Sequence, residues 1–522
     1  MKSTIKTLGL FTAGLLLSTS CSEDWLTVDN PTGEPLEEYY TTDAHVFEAL
    51  TAAYDPLHWP DWGLNQYNAL NIDAEIMGDL FWVGGSNYAD MQNWHMLSDF
   101  VADQSNTLSS LWTVDYSGIK RCNDVIKYIG WAQDANNISE ANAKSYNDQA
   151  RVLRVFYYNM LWHYFGNVPY YLTDLTDPYT APQLKADEIY NKIIVELEDV
   201  LANCSLPMRW DNNNSGRVSK AMAYMLYAEM VMYQNDDTRM AQAYKYMKEI
   251  ISDTQNYSLN PDFAALWAES GEWCAESIWE INYEDNNNDR GWSWAQGTGG
   301  TVLPTLISPN SWPGGDGWAG GDGWGFLPVR TATYNMYDEN DARRAATCWD
   351  TRGVEYTERY QDTHIWLAKY RPYTENNADA GFDNNLNYNN NLRYYRLAEA
   401  YLNAAELDAR GYGDGDAQTL LTAIRNRAGL DAVDATLDNI INERKLEFVG
   451  EGKRYWDLVR LCDVPASSVN ALNTLVPCEC DGTNPSDGGR LNPWTRKKKY
   501  IPIAQSELDS DAALVQNTEY FE

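Results

Sequence analysis

Positive charge is scarce in this sequence: 39 Lys and Arg stand against 75 Asp and Glu, a formal net charge of −36. That balance speaks against nucleic acid as a partner, since its binding rests on neutralising phosphates with Lys and Arg. Adsorption by charge to an anionic membrane surface is disfavoured on the same ground. Histidine is rarer still. His45, His58, His95, His163 and His364 form no H-x-x-x-H pair and none stands at zinc spacing from a cysteine, so no metal centre is expected. Recognisable phosphate and nucleophile loops are missing too. Gly411-Tyr412-Gly413-Asp414-Gly415 and Gly450-Glu451-Gly452-Lys453 lack the spacing of dinucleotide and phosphate loops. Gly84-Gly85-Ser86-Asn87-Tyr88 and Gly291-Trp292-Ser293-Trp294-Ala295 each lack the last Gly of a nucleophile elbow. Asp316 and Asp322 are not spaced as a calcium loop. No cofactor and no catalytic site are expected. A glycoside hydrolase is the enzyme alternative, but it needs a carboxylate pair flanking the scissile bond, and nothing singles one out.

Long apolar runs are also lacking. Leu8 to Leu17 is the longest candidate and is too short to span a bilayer. With Lys2 and Lys6 before it and Ser18, Thr19, Ser20 and Cys21 after it, residues 1–20 read as a secretory signal. The placement of Cys21 looks like that of a lipidated cysteine, and Ser22, Glu23 and Asp24 resemble the acidic tag of surface-exposed lipoproteins. If Cys21 carries lipid, the other seven of the eight cysteines cannot all pair, and Cys478 and Cys480 are too close to join without strain.

What the chain does hold is aromatic side chains, with 21 Trp and 36 Tyr against 11 Phe. Tyr and Trp combine an apolar body with one polar tip and suit half-exposed roles. It also holds amphipathic helices. The spacing predicts helices over Asp43 to Tyr54 with Asp43 as cap, Leu108 to Ile129, Ala141 to Phe165, a run with Ile189, Ile193 and Leu197 in line, the run in GRVSKAMAYMLYAEMVMY, and Met240 to Ile251. Between the first two, residues 56–100 read as loop-rich. Toward the C-terminus, a helix with Tyr394, Leu397, Ala398, Tyr401, Leu402 and Ala405 on one face is followed by one from Ala417 to Ala428 capped by Asp416. A third carries Leu437, Ile440, Ile441 and Phe448. Arg444 falls on its apolar face, and a buried guanidinium needs a partner, for which Glu399 and Glu406 are the candidates. One short strand is expected at Ser277 to Tyr283, and the basic patch Arg496 to Lys499 reads as a solvated strand edge.

The runs RLAEAYLNAAEL, AIRNRAGL and INERKLEFVGEGKRYWDLVRL, in this order, resemble the C-terminal signature of the SusD/RagB family. ARVLRVFYYNMLWHYFGNVPYY, the opening WLTVDNPTGEPLEEYYTTDAHVFEALTAAY and the closing KYIPIAQSELDSDAALVQNTEYF fit the same family. The resemblance implies a mainly α fold, a tetratricopeptide-like scaffold of helix pairs with an irregular, loop-rich lobe and few short strands. It implies one SusD-like domain over 21–522, with helices in about 31–255 and 391–461 and a ligand-binding lobe in about 256–390. It further implies a lipoprotein anchored at the outer membrane and exposed on the surface of a Gram-negative cell. Such a protein captures glycan and delivers it to a SusC-like TonB-dependent transporter. Capture of peptides and a purely structural subunit of the transporter are the alternatives.

Sugar rings have apolar faces and polar rims, so the ligand platform is expected where tryptophan sits in Gly- and Asn-rich loops. NNNDRGWSWAQGTGG and PNSWPGGDGWAGGDGWGFLP supply Trp292, Trp294, Trp312, Trp318 and Trp324, and DLFWVGGSNYAD adds Trp82 and Asn87. The competing expectation for the GGDGW repeat is a Trp-rich mini-core, with Trp318 and Trp324 its first candidates.

Overall fold

A computed structural model of the chain describes residues 35–62, 67–286, 291, 299–381, 383–483 and 488–522. The fold is mainly helical. Helix α1 (Asp43–Tyr54) packs on α2 (Ser109–Asp134), which packs on α3 (Glu140–Phe165). The series continues through α4 (Ala186–Ala202), α5 (Lys220–Gln234) and α6 (Met240–Ser252), each against its predecessor. After a long excursion the chain returns with α7 (Leu397–Ala409) against α6, followed by α8 (Ala417–Arg427), α9 (Leu437–Glu447) and α10 (Arg454–Arg460). This is the stacked helix-pair arrangement expected from the periodicity, in which each pair buries its apolar stripe on the next.

Local signals place several ends. Ser139 and Ser219 cap α3 and α5 by accepting the N–H groups of Asn142 and Met222, each at 3.1 Å. Gly118 lets α2 and α3 approach closely, since a Cβ there would lie 2.4 Å from the Tyr157 ring. The apolar stripes converge on one large core that takes side chains from Val46 to Tyr520 and includes the fully buried Trp94, Trp162 and Trp279.

Among the described residues six short strands form three antiparallel pairs: β1 (Val168–Pro169) with β2 (Gln183–Leu184), β3 (Ser277–Ile281) with β6 (Leu392–Arg396), and β4 (Cys348–Asp350) with β5 (Ile365–Leu367). The β3–β6 pair corrects one expectation. Tyr394 lies on a strand, and the helix starts only at Leu397, whose N–H donates to the Glu276 carbonyl at 2.8 Å. Pairing with a strand more than a hundred residues away overrides the helical spacing there.

Other corrections are local. Thr42, not Asp43, caps α1 by accepting the His45 N–H. Asp416 does not cap α8, because its carboxylate is taken by Tyr244 and Lys248 from α6, and Asp408 accepts the Ala417 N–H instead at 2.7 Å. Residues 56–100 carry short helices, Ile72–Met77 and Gln92–Ser98 among them. The basic stretch is one turn of 3-10 helix, Arg496–Lys498, with Arg496 paired to Asp463 at 2.5 Å and Lys497 to Glu522 at 2.8 Å.

The C-terminal signature is held together by buried charge. Glu447 on α9 meets Arg396 at 2.6 Å, Arg343 at 2.9 Å and Arg427 of α8. Glu276 receives Arg396 and Arg427, both at 3.0 Å, Glu451 receives Arg396 at 2.7 Å and Lys369 at 2.6 Å, and Glu443 receives Arg343 and Arg425, both at 2.7 Å. Asp341 completes the set on Arg343 at 2.8 Å. Burial pushes the Glu447 carboxyl up, but the three guanidiniums outweigh it and hold the group far below the usual carboxylate range. A second cluster surrounds Arg444, which donates to Asp457 at 3.0 Å and Asn403 at 2.6 Å with Glu399 at 3.8 Å. Glu406 goes to Arg460 instead.

Candidate functional site

The excursion between α6 and α7 builds a lobe of turns around two local frames. The first is a backbone ladder. Phe81 bridges Val329 and Gly84 bridges Phe326 in antiparallel register, and the Gly85 N–H donates to the Gly325 carbonyl at 2.8 Å. This contact needs glycine. Gly84 and Gly85 have φ of +80° and +78°, and a Cβ on either would collide with Gly325 O at 2.3 Å or the Phe326 ring at 2.5 Å. Gln361 fastens the same turn from the other side, accepting the Val83 and Gly84 N–H groups at 3.1 and 2.9 Å.

Beyond Gly85 the ladder ends: the Trp324 N–H turns to the Thr305 carbonyl at 2.8 Å, and Ser86 and Asn87 form a turn of their own. Ser86 is pinned to Asp90 through its N–H and hydroxyl, both at 2.8 Å. The exposed Asn87 side chain accepts the Ala89 N–H through its carbonyl oxygen at 2.8 Å, which fixes an Asx turn, and its amide donates to the Ser86 hydroxyl at 3.2 Å. Trp324 is half-buried and edge-on to the half-buried Tyr67, centroids 5.1 Å apart at 71°. A half-buried aromatic pair is the kind of surface on which the apolar face of a sugar ring can lie.

The second frame is a tryptophan cluster. Trp312 and Trp318 are 4% and 9% exposed and pack with Trp349, Trp366 and Ala368. Trp312 meets Trp349 edge-on at 4.8 Å, Arg371 lies 4.1 Å over the Trp349 ring, and the Trp349 indole donates to Asp316 at 3.3 Å. The GGDGW repeat is thus a pair of tiny hairpin bridges, Trp312 to Gly321 and Gly315 to Trp318, that drives two rings inward. The expectation of exposed faces at Trp312 and Trp318 is corrected: these rings form the mini-core of the lobe. Trp324, grouped with Trp318 in that expectation, stands outside the cluster.

Trp82 is also buried, at 3% exposure, with its indole N–H on Asp481 at 2.6 Å and the Arg330 guanidinium 4.3 Å from its ring. It anchors the ladder rather than presenting a face. Trp292, Trp294 and Cys21 lie outside the described residues. Tyr67 was not singled out by the sequence reading, since an isolated tyrosine in an irregular stretch carries no spacing signal. The seven described cysteines are free thiols. Among the described residues no group of three or more His, Cys, Asp or Glu side chains is placed to hold a metal ion, and no helix is long and apolar enough to cross a membrane.

Comparison with known proteins agrees with the fold. A model of the SusD family matches residues 275–520. Surface glycan-binding protein A from Bacteroides uniformis is 59% identical, covers 92% of this chain and 100% of its own, and superposes with a TM-score of 0.83. The corresponding protein from Bacteroides thetaiotaomicron, solved in complex with laminarihexaose, is 49% identical over 91% of this chain and 100% of its own, with a TM-score of 0.84. A curated relative, SusD-like protein P2 from Formosa agariphila, is 26% identical over 484 residues, 86% of this chain and 89% of its own. With the helix pairs, the charge-locked C-terminal signature and this near-complete overlap with a relative of such high identity, the chain belongs to the SusD family.

Proposed function

We propose that the protein captures glycan of the laminarihexaose class at the outside of the cell, without cleaving it, and passes it to a SusC-like TonB-dependent transporter in the outer membrane. The observation that carries this reading is the relative solved with laminarihexaose, which is 49% identical over nearly the whole chain. The platform we assign comprises the Trp324–Tyr67 pair and Asn87, with Trp292 and Trp294 as further stacking residues. Trp82, Trp312 and Trp318 act in it indirectly, by holding the lobe in shape. A lipid on Cys21 would keep the binding face near the transporter mouth. The chain then comprises a signal over 1–20 and one domain over 21–522.

Calorimetric titration with laminarihexaose tests the ligand and the site together. Loss of a stacked ring is worth about 1 kcal/mol or somewhat more, so Trp324→Ala is expected to weaken binding about tenfold while the melting temperature stays close to that of the parent. Absence of laminarihexaose binding to the parent would refute the ligand class. Unchanged affinity in Trp324→Ala, Trp292→Ala and Trp294→Ala alike would refute the placement. The oligosaccharide is expected back intact after incubation. Cys21→Ala is expected to release the protein from the membrane fraction, and a mature N-terminus elsewhere than residue 21 would contradict the anchor.

A further inference from the structure

Gly325 follows Trp324 in the chain, and its missing side chain makes room for an arginine from another segment. Its φ is +72°, and a Cβ there would lie 2.8 Å from Cδ, 3.1 Å from Cβ and 3.2 Å from Cγ of Arg359. The Arg359 stem therefore lies flat across the Gly325 backbone. One glycine ties the two segments together. Gly85 donates its N–H to the Gly325 carbonyl at 2.8 Å and accepts the Tyr360 N–H at 3.0 Å. Trp324 and Arg359 each stand one residue before a backbone partner of Gly85, which brings the arginine stem to the end of the ladder where Trp324 departs.

The head of this side chain supplies the observation that points to a ligand. Other guanidiniums of the fold are paired: Arg343, Arg396, Arg427 and Arg460 all meet carboxylates. Arg359 is half-buried, yet among the described residues no carboxylate, carbonyl, hydroxyl or ring is set against its guanidinium. Its nitrogens are not among the sealed polar atoms and stay open to solvent. The carboxylates close by are occupied elsewhere. Asp362 accepts the Arg359 main-chain N–H at 3.4 Å, and its other oxygen takes the Tyr356 hydroxyl at 2.9 Å and the His364 N–H at 2.8 Å. Glu358 receives the His364 ring at 2.9 Å and the Thr483 hydroxyl at 3.0 Å. Asp90, beside Gly85, is taken by Ser86. In a chain with 75 acidic side chains against 39 basic ones, a half-buried cation left without any of them is an exception.

We propose that Arg359 is a specificity-determining residue of the glycan platform, its guanidinium donating to neighbouring hydroxyl or ring oxygens of a sugar unit that lies on the Trp324–Tyr67 pair. This deepens the glycan-capture reading and rests on it. A planar fork of N–H donors matches adjacent oxygens, and a stem already laid over glycine has little side-chain freedom left to lose on binding. The sugar is neutral, because the net charge of −36 opposes the approach of a polyanion.

Calorimetric titration of Arg359→Met tests this, since methionine keeps an unbranched stem over Gly325 and removes every donor. The variant is expected to bind laminarihexaose about ten- to a hundredfold more weakly than the parent, the range for losing hydrogen bonds from a charged donor. Arg359→Lys, which keeps stem and charge but not the fork, is expected to fall between the two. A thermal melt close to that of the parent shows that the lobe is intact; if the methionine variant melts early, the lysine variant carries the same comparison. Parental affinity in the variant that keeps its melt overturns the proposal and leaves Arg359 a packing residue. Tighter binding of a hexauronate than of laminarihexaose, weakened by salt and lost in Arg359→Met, overturns the neutral assignment. A parent that does not bind laminarihexaose refutes the ligand class, and this assignment with it. Weakening in Arg359→Met alongside unchanged affinity in Trp324→Ala refutes the ring placement and leaves the arginine contact standing.

Discussion

Replacing Glu447 by Gln removes one negative charge from a buried network whose charges otherwise cancel. Asp341, Glu276, Glu443, Glu447 and Glu451 face Arg343, Arg396, Arg425, Arg427 and Lys369. Three of these cations touch Glu447 directly, and none of the three is more than 4% exposed. Glutamine keeps the shape but leaves the network one positive charge in excess. Removing one partner of a buried pair costs ~3–5 kcal/mol because the other charge stays behind, against a total stability of about 5–15 kcal/mol. For 522 residues at ~2.1 cal/mol/K each, the unfolding entropy is about 1.1 kcal/mol/K, so the melting temperature is expected to fall by about 3–5 °C. Differential scanning calorimetry of Glu447→Gln beside Glu355→Gln, an exposed control, reads this directly. In the double variant with Arg427→Gln the two losses are expected to be less than additive. A Glu447→Gln protein melting within about a degree of the parent would refute the view that this network holds the C-terminal signature together.

Two further outcomes follow from the core. Leu402 on α7 is fully buried, and Leu402→Asp would bury an unpaired charge at a cost of several kcal/mol, so loss of soluble folded protein is expected; a well-folded variant with normal melting would contradict the assignment of that face. Glu75 is buried, and burial pushes its carboxyl up from 4.5 to about 8 despite the Gly452 N–H and the nearby Lys369. The native state then keeps a proton that the unfolded chain releases, so this group's contribution to stability is full below its unfolded pKa and lost as pH rises toward about 8. Denaturant titrations are expected to show Glu75→Gln gaining on the parent between about pH 5 and about pH 8; parallel profiles would show that Glu75 is ionised in the folded protein.

Much of the scaffold was legible because helix periodicity is a local property. Ile189, Ile193 and Leu197, or Leu420, Leu421 and Ile424, repeat at helical spacing whatever the rest of the chain does, and all are buried. The buried brace on Arg444 was legible for the same reason, although its principal carboxylate proved to be Asp457, one helix later in the chain. Periodicity failed where a distant segment competes. Tyr394 fits the stripe of α7, yet backbone pairing with Ser277–Ile281 draws it into a strand. Asp416 has the chemistry of a cap, yet Tyr244 and Lys248 reach it from α6.

The candidate site shows the same division more sharply. Glycine beside tryptophan marked an irregular lobe, because the turns at Gly84 and Gly85 require glycine. Which rings are covered was decided only in three dimensions. Trp312 and Trp318 turn inward because Trp349 and Trp366 arrive on β4 and β5 to receive them, and Trp82 is sealed by Arg330 and Asp481, far away in the chain. Exposure is a property of neighbours rather than of the residue. Composition and periodicity therefore determined that this protein is an acidic, aromatic-rich stack of helix pairs carrying an irregular lobe. Only the tertiary contacts decided that Trp324 stays out of the tryptophan cluster and pairs edge-on with Tyr67.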